Sequence, residues 1–264
     1  GFGGVFFAGL FLLKSFLVFL KTYFKGNRYD VFSVHFSLEA VLARYIKLIF
    51  GIPYVIRLAG DAPLELLEGK RADEAIHVSH FMNEQSKKYG YSAHVIAKGF
   101  DLERFSPEID VADLHEKHAT QVEDKILLTV CRLDPRKNLI TLIEAMNILV
   151  NVEGNKNLKL FIVGDGVERK FLEDRVVMYK LADHTEFLGT IPNKDPLLSK
   201  YYAFADLFVL PTLYEGFGWV FLEAMASGTP VLTTTAGSNP EVVGESGALI
   251  KPKDPQLLAK AISK

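Results

Sequence analysis

Two carboxylates lie close together in the sequence: Glu215 is in a glycine-rich turn that follows a predicted strand, and Glu223 is about two turns into the predicted helix after it. Gly216 and Gly218 let the backbone of this turn approach a ligand closely, because glycine has no side chain to obstruct it. The first amides of the helix have no partner inside it and face an anionic group. Together these features predict a site for a polyhydroxylated, negatively charged ligand. The alternative is an ordinary Rossmann-like turn with Glu223 on a solvated helix face.

A basic pair, Arg132 and Lys137, follows another predicted strand and precedes another helix. The planar fork of arginine and the point charge of lysine both suit a diphosphate, although two solvated loop cations would leave the same pattern. Gly164 and Gly166 follow a third strand, where Gly-x-Gly alone more commonly marks a tight turn and helix cap. Because the carboxyl ends of parallel strands meet at one edge of a sheet, we expect these loops and Glu215 to face one crevice.

Strands and helices alternate along the whole chain, which is typical of parallel α/β sheets. The pattern weakens between residues 98 and 123, and we predict a domain boundary there, with an N-terminal domain over 1–107 and a C-terminal domain over 108–264. Apolar runs predict strands at 29–35, 54–58, 75–78 and 91–97 in the first domain, and at 126–130, 158–163, 185–188, 207–210, 230–233 and 246–250 in the second.

Composition excludes several classes of protein. The 264 residues carry a formal net charge of -2, and no excess of lysine and arginine indicates a nucleic-acid partner. One cysteine, Cys131, cannot form an internal disulfide, which favours a reducing, cytoplasmic compartment. The histidines show no metal-ligand spacing, so we expect no metal site.

The first residues form an apolar segment. Gly1 to Leu13 contains no charged or polar side chain, but the uninterrupted run is shorter than the roughly 20 residues of a spanning helix. It also lacks the basic start of a signal peptide. Two interpretations remain: a buried core helix ending near Gly26, or a helix at a membrane surface, with residues 1–25 in contact with anionic lipid through Lys14, Lys21 and Lys25. A chain that opens without methionine is typical of part of a longer protein.

Three motifs carry a family resemblance. They are Glu-Gly-Phe-Gly-(x)4-Glu-Ala-Met-Ala-x-Gly-x-Pro-Val from Glu215, Arg-Leu-(x)3-Lys-Asn from Arg132, and Ile-Val-Gly-Asp-Gly ending at Gly166. The chain resembles, over residues 29–264, the large retaining family of GT-B glycosyltransferases called family 4 or group 1. The resemblance implies two Rossmann-like domains with parallel sheets facing a central cleft, the N-terminal one incomplete in this chain.

It also implies a reaction: a hexose moves from a nucleotide-diphosphate sugar, with UDP or GDP as the nucleotide, to a hydroxyl of a glycan, a lipid-linked acceptor or a small molecule. The anomeric configuration is retained, with no cofactor or metal. The residues matching Arg132 and Lys137 neutralise the diphosphate, and the one matching Glu215 contacts the donor sugar; these are the predicted catalytic residues. The residue matching Glu223 contacts the ribose. The remaining predicted donor-binding residues are Gly164, Gly166, Gly216, Phe217 and Gly218.

The first domain departs from the family pattern. Ala59 stands where the family commonly has a histidine before Gly60, and the family's glycine-rich first loop is not identifiable. We predict His35, Gly60 and Asp61 as acceptor-side residues. Two rival functions remain open: a sugar- or nucleotide-binding module without turnover, and a hydrolysing nucleotide-sugar epimerase, which explains the Glu215–Glu223 spacing less well.

Overall fold

The structure, a computed structural model, describes residues 2–35, 37–60, 62–97 and 99–264. The chain forms two compact units, Gly1–Lys98 and Gly99–Lys264. The second unit therefore begins earlier than the sequence boundary after residue 107. The physical reason is that Phe105 is buried in the core of the second unit, with its ring 5.6 Å from that of Tyr202, and Phe100 stacks on Phe105.

The first unit is a four-stranded parallel sheet in the order β1-β2-β3-β4. Its elements are α1 (Phe2–Tyr23), β1 (Phe32–Val34), α2 (Ser37–Phe50), β2 (Tyr54–Leu58), α3 (Pro63–Arg71), β3 (Glu74–His77), α4 (His80–Lys87) and β4 (His94–Val95). Helix α3 is not among the elements expected from the sequence. Proline at its first position sets the helical φ angle, but only Leu66 of its leucines is buried, so no apolar period marks the helix.

Helix α1 packs through its aromatic side. Phe19 is buried, with its ring 5.1 Å from that of Phe50 and 5.5 Å from that of Phe32. The opposite side of the helix leaves Leu17 and Val18 exposed. Over the described ranges, no helix combines the length and the apolar character needed to cross a membrane.

The second unit is a six-stranded parallel sheet in the order β10-β9-β8-β5-β6-β7. Its elements are α5 (Ala112–Lys117), β5 (Lys125–Val130), α6 (Leu139–Asn147), β6 (Leu158–Val163), α7 (Arg169–Met178), β7 (Thr185–Gly189), α8 (Pro196–Phe204), β8 (Leu207–Leu210), α9 (Trp219–Ala226), β9 (Val231–Thr234), α10 (Asn239–Val243), β10 (Gly247–Ile250) and α11 (Pro255–Ile262).

This strand order is that of a doubly wound Rossmann-like sheet, which confirms the predicted α/β fold. Numbered from β5, the strands lie in the order 6-5-4-1-2-3, so the direction of winding reverses between β5 and β8. In such sheets ligands bind outside the carboxyl ends of the strands at this reversal point. A ligand site is therefore expected at the loops after β5 and β8.

Candidate active site

The loops after β5 and β8 bring a lysine and a carboxylate together. Lys137 ends a short 3₁₀ turn that follows β5, and Glu215 lies in the loop after β8. The Lys137 Nζ and Glu215 Oε1 atoms are 2.5 Å apart, and the two side chains are only 18% and 12% exposed. Two predicted catalytic residues thus form one ion pair at the reversal point of the sheet, partly shielded from water.

Main-chain contacts hold the two loops against each other. The Arg136 carbonyl accepts hydrogen bonds from the Leu213 amide (2.7 Å) and from the Thr212 hydroxyl (3.0 Å). Asn138 adopts a left-handed conformation with a φ of 54°, which asparagine tolerates better than most residues, and its side-chain amide donates to the Pro211 carbonyl (3.1 Å). The ion pair therefore has a fixed backbone frame that does not depend on its charges.

Arg132 lies at the rim of the same loop, with a side chain that is 65% exposed. Its Nε donates to Asp134 (2.8 Å), a residue that also accepts a hydrogen bond from the Arg136 amide (3.0 Å). Burial alone would raise the pKa of Asp134, but these hydrogen bonds and the neighbouring positive charges hold it below its usual value. Because exposed ion pairs contribute only about 0–1 kcal/mol, a ligand anion can compete with Asp134 for this guanidinium.

The two glycines after β6 are required by the protein's own packing. A Cβ on Gly164 would lie 1.8 Å from the Cys131 carbonyl oxygen, and one on Gly166 would lie 2.3 Å from that of Leu133. The loop after β6 therefore lies directly against the loop that carries Arg132. A ligand contact from Gly164 or Gly166 stays a prediction.

The glycine-rich turn leads into α9 as predicted. Gly218 has a φ of 85° and immediately precedes the helix, and a Cβ there would lie 2.5 Å from the Phe221 ring. Gly216 and Phe217 are partly exposed, and the Phe217 ring packs against Trp219 at a centroid distance of 4.8 Å. The first amides of α9 lie at the same edge of the sheet as Lys137, because β8 and β5 are paired neighbours.

Glu223 is buried, so the alternative of a solvated helix face is wrong. The residue is 9% exposed, and its carboxylate accepts a 2.6 Å hydrogen bond from the hydroxyl of Tyr202 on α8. Burial raises the pKa of Glu223, against the opposing effects of this hydrogen bond and of the Arg104 charge. Tyr202 is not among the predicted site residues, since nothing in the sequence of α8 distinguishes it from the adjacent Tyr201.

In the first unit, His35 and Gly60 follow β1 and β2, which are paired in parallel. The His35 side chain is exposed, and its amide donates to Glu39 (3.1 Å). A Cβ on Gly60 would lie 2.6 Å from a carboxylate oxygen of Glu65. Asp61 lies outside the described residues. Acceptor-side roles for these positions stay predictions.

Two further groups bear on the chemistry. Burial raises the pKa of the Cys131 thiol to about 12, so this cysteine is protonated at neutral pH and is no nucleophile. In the part of the chain that the structure describes, no three histidine, cysteine, aspartate or glutamate side chains gather as metal ligands.

Comparison with known proteins shows similarity to glycosyltransferases. The family model of glycosyl transferases group 1 matches residues 110–264. The putative teichuronic acid biosynthesis glycosyltransferase TuaC of Bacillus subtilis is 29% identical over 262 residues, which cover 93% of this chain and 64% of that protein. The first curated relatives are spanned over only 33% to 64% of their length.

Solved structures match the fold over most of the chain. Sucrose-phosphate synthase from Thermosynechococcus elongatus aligns with a TM-score of 0.80 and 27% identity, covering 95% of this chain and 68% of that one. Anabaena HepE, solved with UDP and glucose, aligns with a TM-score of 0.80 and 23% identity, covering 92% of this chain and 70% of that one.

Proposed function

The chain belongs to the group 1 glycosyl transferases, and we propose that it moves a hexose from a nucleotide-diphosphate sugar to a hydroxyl acceptor with retention of the anomeric configuration, as a family 4 enzyme. The observation that carries the proposal is the Lys137–Glu215 ion pair at the reversal point of the second sheet. A cation and a carboxylate in contact can serve the two halves of such a donor, the anionic diphosphate and the hydroxylated sugar.

Lys137 and Arg132 would neutralise the diphosphate. This group leaves with growing negative charge as the glycosidic bond breaks, and fixed positive charge at that place lowers the barrier. The 18% exposure of Lys137 strengthens the effect, since Coulomb energies rise as the effective dielectric falls. UDP or GDP is the nucleotide that we propose, and no metal or cofactor takes part.

The two carboxylates would bind the two uncharged parts of the donor, the hexose and the ribose. Glu215 keeps a second carboxylate oxygen besides the one that meets Lys137, and it would accept hydrogen bonds from the hexose hydroxyls. Glu223 would accept one from the ribose, with the Tyr202 hydroxyl fixing its other oxygen. Gly216 and the amides around Phe217 and Gly218 would bind sugar or phosphate oxygens. Retention follows if the acceptor attacks from the face that the diphosphate leaves and gives its proton to that leaving group.

The acceptor would be a glycan or a lipid-linked sugar, and the putative role of TuaC in teichuronic acid synthesis supports a glycan. The outward side of α1 supports a location in the cytoplasm at the membrane surface. Residues 1–29 contain no acidic residue, and exposed Leu17 and Val18 lie among exposed lysines, namely Lys14, Lys21 and Lys25. This combination of apolar and basic side chains suits an anionic lipid surface.

Vesicle binding tests the membrane part separately. We expect the chain to co-sediment with vesicles that contain phosphatidylglycerol, and replacement of Lys14, Lys21 and Lys25 by glutamine to release it. A matched triple replacement of exposed lysines in the second unit, Lys170, Lys194 and Lys260, should leave binding unchanged. Equal binding to purely zwitterionic vesicles would contradict the electrostatic account.

A donor screen tests the enzymatic proposal. Thermal shifts with UDP, GDP and ADP identify the nucleotide, and the corresponding hexose donors are then assayed with sugar and lipid-linked acceptors. We expect release of nucleoside diphosphate together with a product whose anomeric proton coupling matches that of the donor. Binding without product would favour the binding module, and a free isomerised sugar would identify an epimerase.

A further inference from the structure

The turn between β9 and α10 contacts the main chain of Glu215. Two groups of Ser238, its amide and its hydroxyl, donate hydrogen bonds to the Glu215 carbonyl oxygen at 3.0 and 3.1 Å. Ser238 is fully buried. Ser238 thus holds the loop after β8 from the side of the neighbouring strand β9, whereas the Arg136 carbonyl contacts the same loop from the side of β5.

Gly237 makes this approach possible. Its φ of 62° is a left-handed conformation, and a Cβ at this position would lie 2.5 Å from the Glu215 carbonyl oxygen and 2.7 Å from the Glu215 nitrogen. Real Cβ atoms essentially never come so close to backbone. Any side chain at position 237 would therefore displace the main chain of Glu215.

The turn itself is anchored in the sheet. The Thr234 hydroxyl donates to the Thr212 carbonyl at 2.6 Å, which ties the end of β9 to the loop after β8. The side-chain amide of Asn239, a fully buried residue, donates to the Thr234 carbonyl (3.1 Å) and the Thr233 hydroxyl (3.2 Å). The turn is thus a rigid support for Glu215.

We propose that Gly237 and Ser238 are positioning residues that fix the Glu215 carboxylate at Lys137 and at the donor sugar. The proposal rests on the role of Glu215 proposed above. Reacting groups must be held to within about 0.5 Å, and a displacement of about 1 Å can cost on the order of 10²-fold in rate. Clamped from the β5 side and from the β9 side, the loop after β8 meets this demand.

Two glycine substitutions form a matched test. Gly237→Ala and Gly244→Ala both place alanine at a positive φ, 62° and 54°, but nothing lies within 4 Å of a Cβ at Gly244. We expect Gly237→Ala to lower kcat by about 10²-fold, and Gly244→Ala to leave it within about twofold. The affinity for the nucleoside diphosphate should not fall in either variant, because Arg132 and Lys137 stay in place, and a Glu215 carboxylate displaced from Lys137 would raise it.

Ser238→Ala gives a second variant in case Gly237→Ala does not fold. It removes one of the two bonds to Glu215, and we expect kcat to fall by about fivefold, since one hydrogen bond contributes about 1 kcal/mol, with no loss of diphosphate affinity. Equal kcat values for Gly237→Ala and Gly244→Ala, or an unchanged kcat in Ser238→Ala, would overturn the positioning role. No transfer by the unchanged chain with any donor would instead overturn the proposed function.

Discussion

Replacing Glu215 by glutamine should have opposite effects on nucleotide binding and on turnover. The change keeps the shape of the side chain and removes its negative charge. In the structure the negatively charged carboxylate forms an ion pair with Lys137, with 2.5 Å between Glu215 Oε1 and Lys137 Nζ. The Lys137 side chain is 18% exposed and the Glu215 side chain 12%. A diphosphate must compete with that carboxylate for the lysine, and it would no longer do so in Glu215→Gln.

The expected size follows from the burial of the pair. Exposed ion pairs contribute about 0–1 kcal/mol, and breaking a buried pair costs about 3–5 kcal/mol. A partly buried pair lies between these values, so freeing Lys137 should strengthen diphosphate binding by about 1.4 kcal/mol, or about tenfold in Kd. Turnover should fall by at least about 10²-fold, because an amide replaces the carboxylate acceptor for the donor sugar.

Calorimetric titration with UDP and GDP, beside initial-rate assays, measures both effects. Asp113→Asn is the charge-matched control, since Asp113 pairs with Lys200 on the surface of the same unit, and it should change neither value. Weaker or unchanged diphosphate binding in Glu215→Gln would refute the view that Glu215 and the ligand compete for one lysine.

Three other changes have defined outcomes. Tyr202→Phe removes the hydroxyl that donates a hydrogen bond to Glu223, and we expect the free energy of unfolding, measured with urea, to fall by about 1.5–3 kcal/mol. The KM for the donor should rise with little change in kcat, and an unchanged KM would show that Tyr202 has no part in binding the nucleotide. Gly164→Ala should lower the free energy of unfolding by more than about 2 kcal/mol. The control Gly154→Ala, at a φ of 80° with open space around it, should lower it by only about 1 kcal/mol. Equal losses would contradict the view that the Cys131 carbonyl leaves no room for a side chain at Gly164. Burial lowers the pKa of His77 to about 4, so below pH 6.5 the folded chain binds fewer protons at this residue than the unfolded chain does. The free energy of unfolding should therefore fall by about 3 kcal/mol as the pH drops from 6.5 to 4. A difference in unfolding free energy between the unchanged chain and His77→Gln that does not depend on pH would refute this.

The meeting of Lys137 and Glu215 could be predicted from sequence, because parallel strands end at one edge of a sheet and both residues lie in loops that follow such strands. The strands of the second unit were also predicted within about two residues, since each is a short apolar run bounded by turn residues. Most residues of β5, β6 and β8 are buried, and their apolar runs leave little room for another interpretation.

The supports of the site could not be predicted. The left-handed conformation of Asn138 and the bonds from Ser238 to Glu215 depend on contacts between loops that are far apart in sequence. The buried carboxylate of Glu223 is paired with Tyr202, which nothing in the sequence distinguishes from the adjacent Tyr201. Gly237 resembles any other turn glycine until the backbone beside it is known.

One assay tests the central claim most directly: release of nucleoside diphosphate and formation of glycoside, measured with the best donor for the unchanged chain and for Lys137→Ala. The account predicts product with retained configuration from the unchanged chain, and a loss of at least about 10³-fold in Lys137→Ala, because the leaving diphosphate loses its partly buried cation. Equal rates for the two chains would contradict the assignment of this strand edge as the donor site.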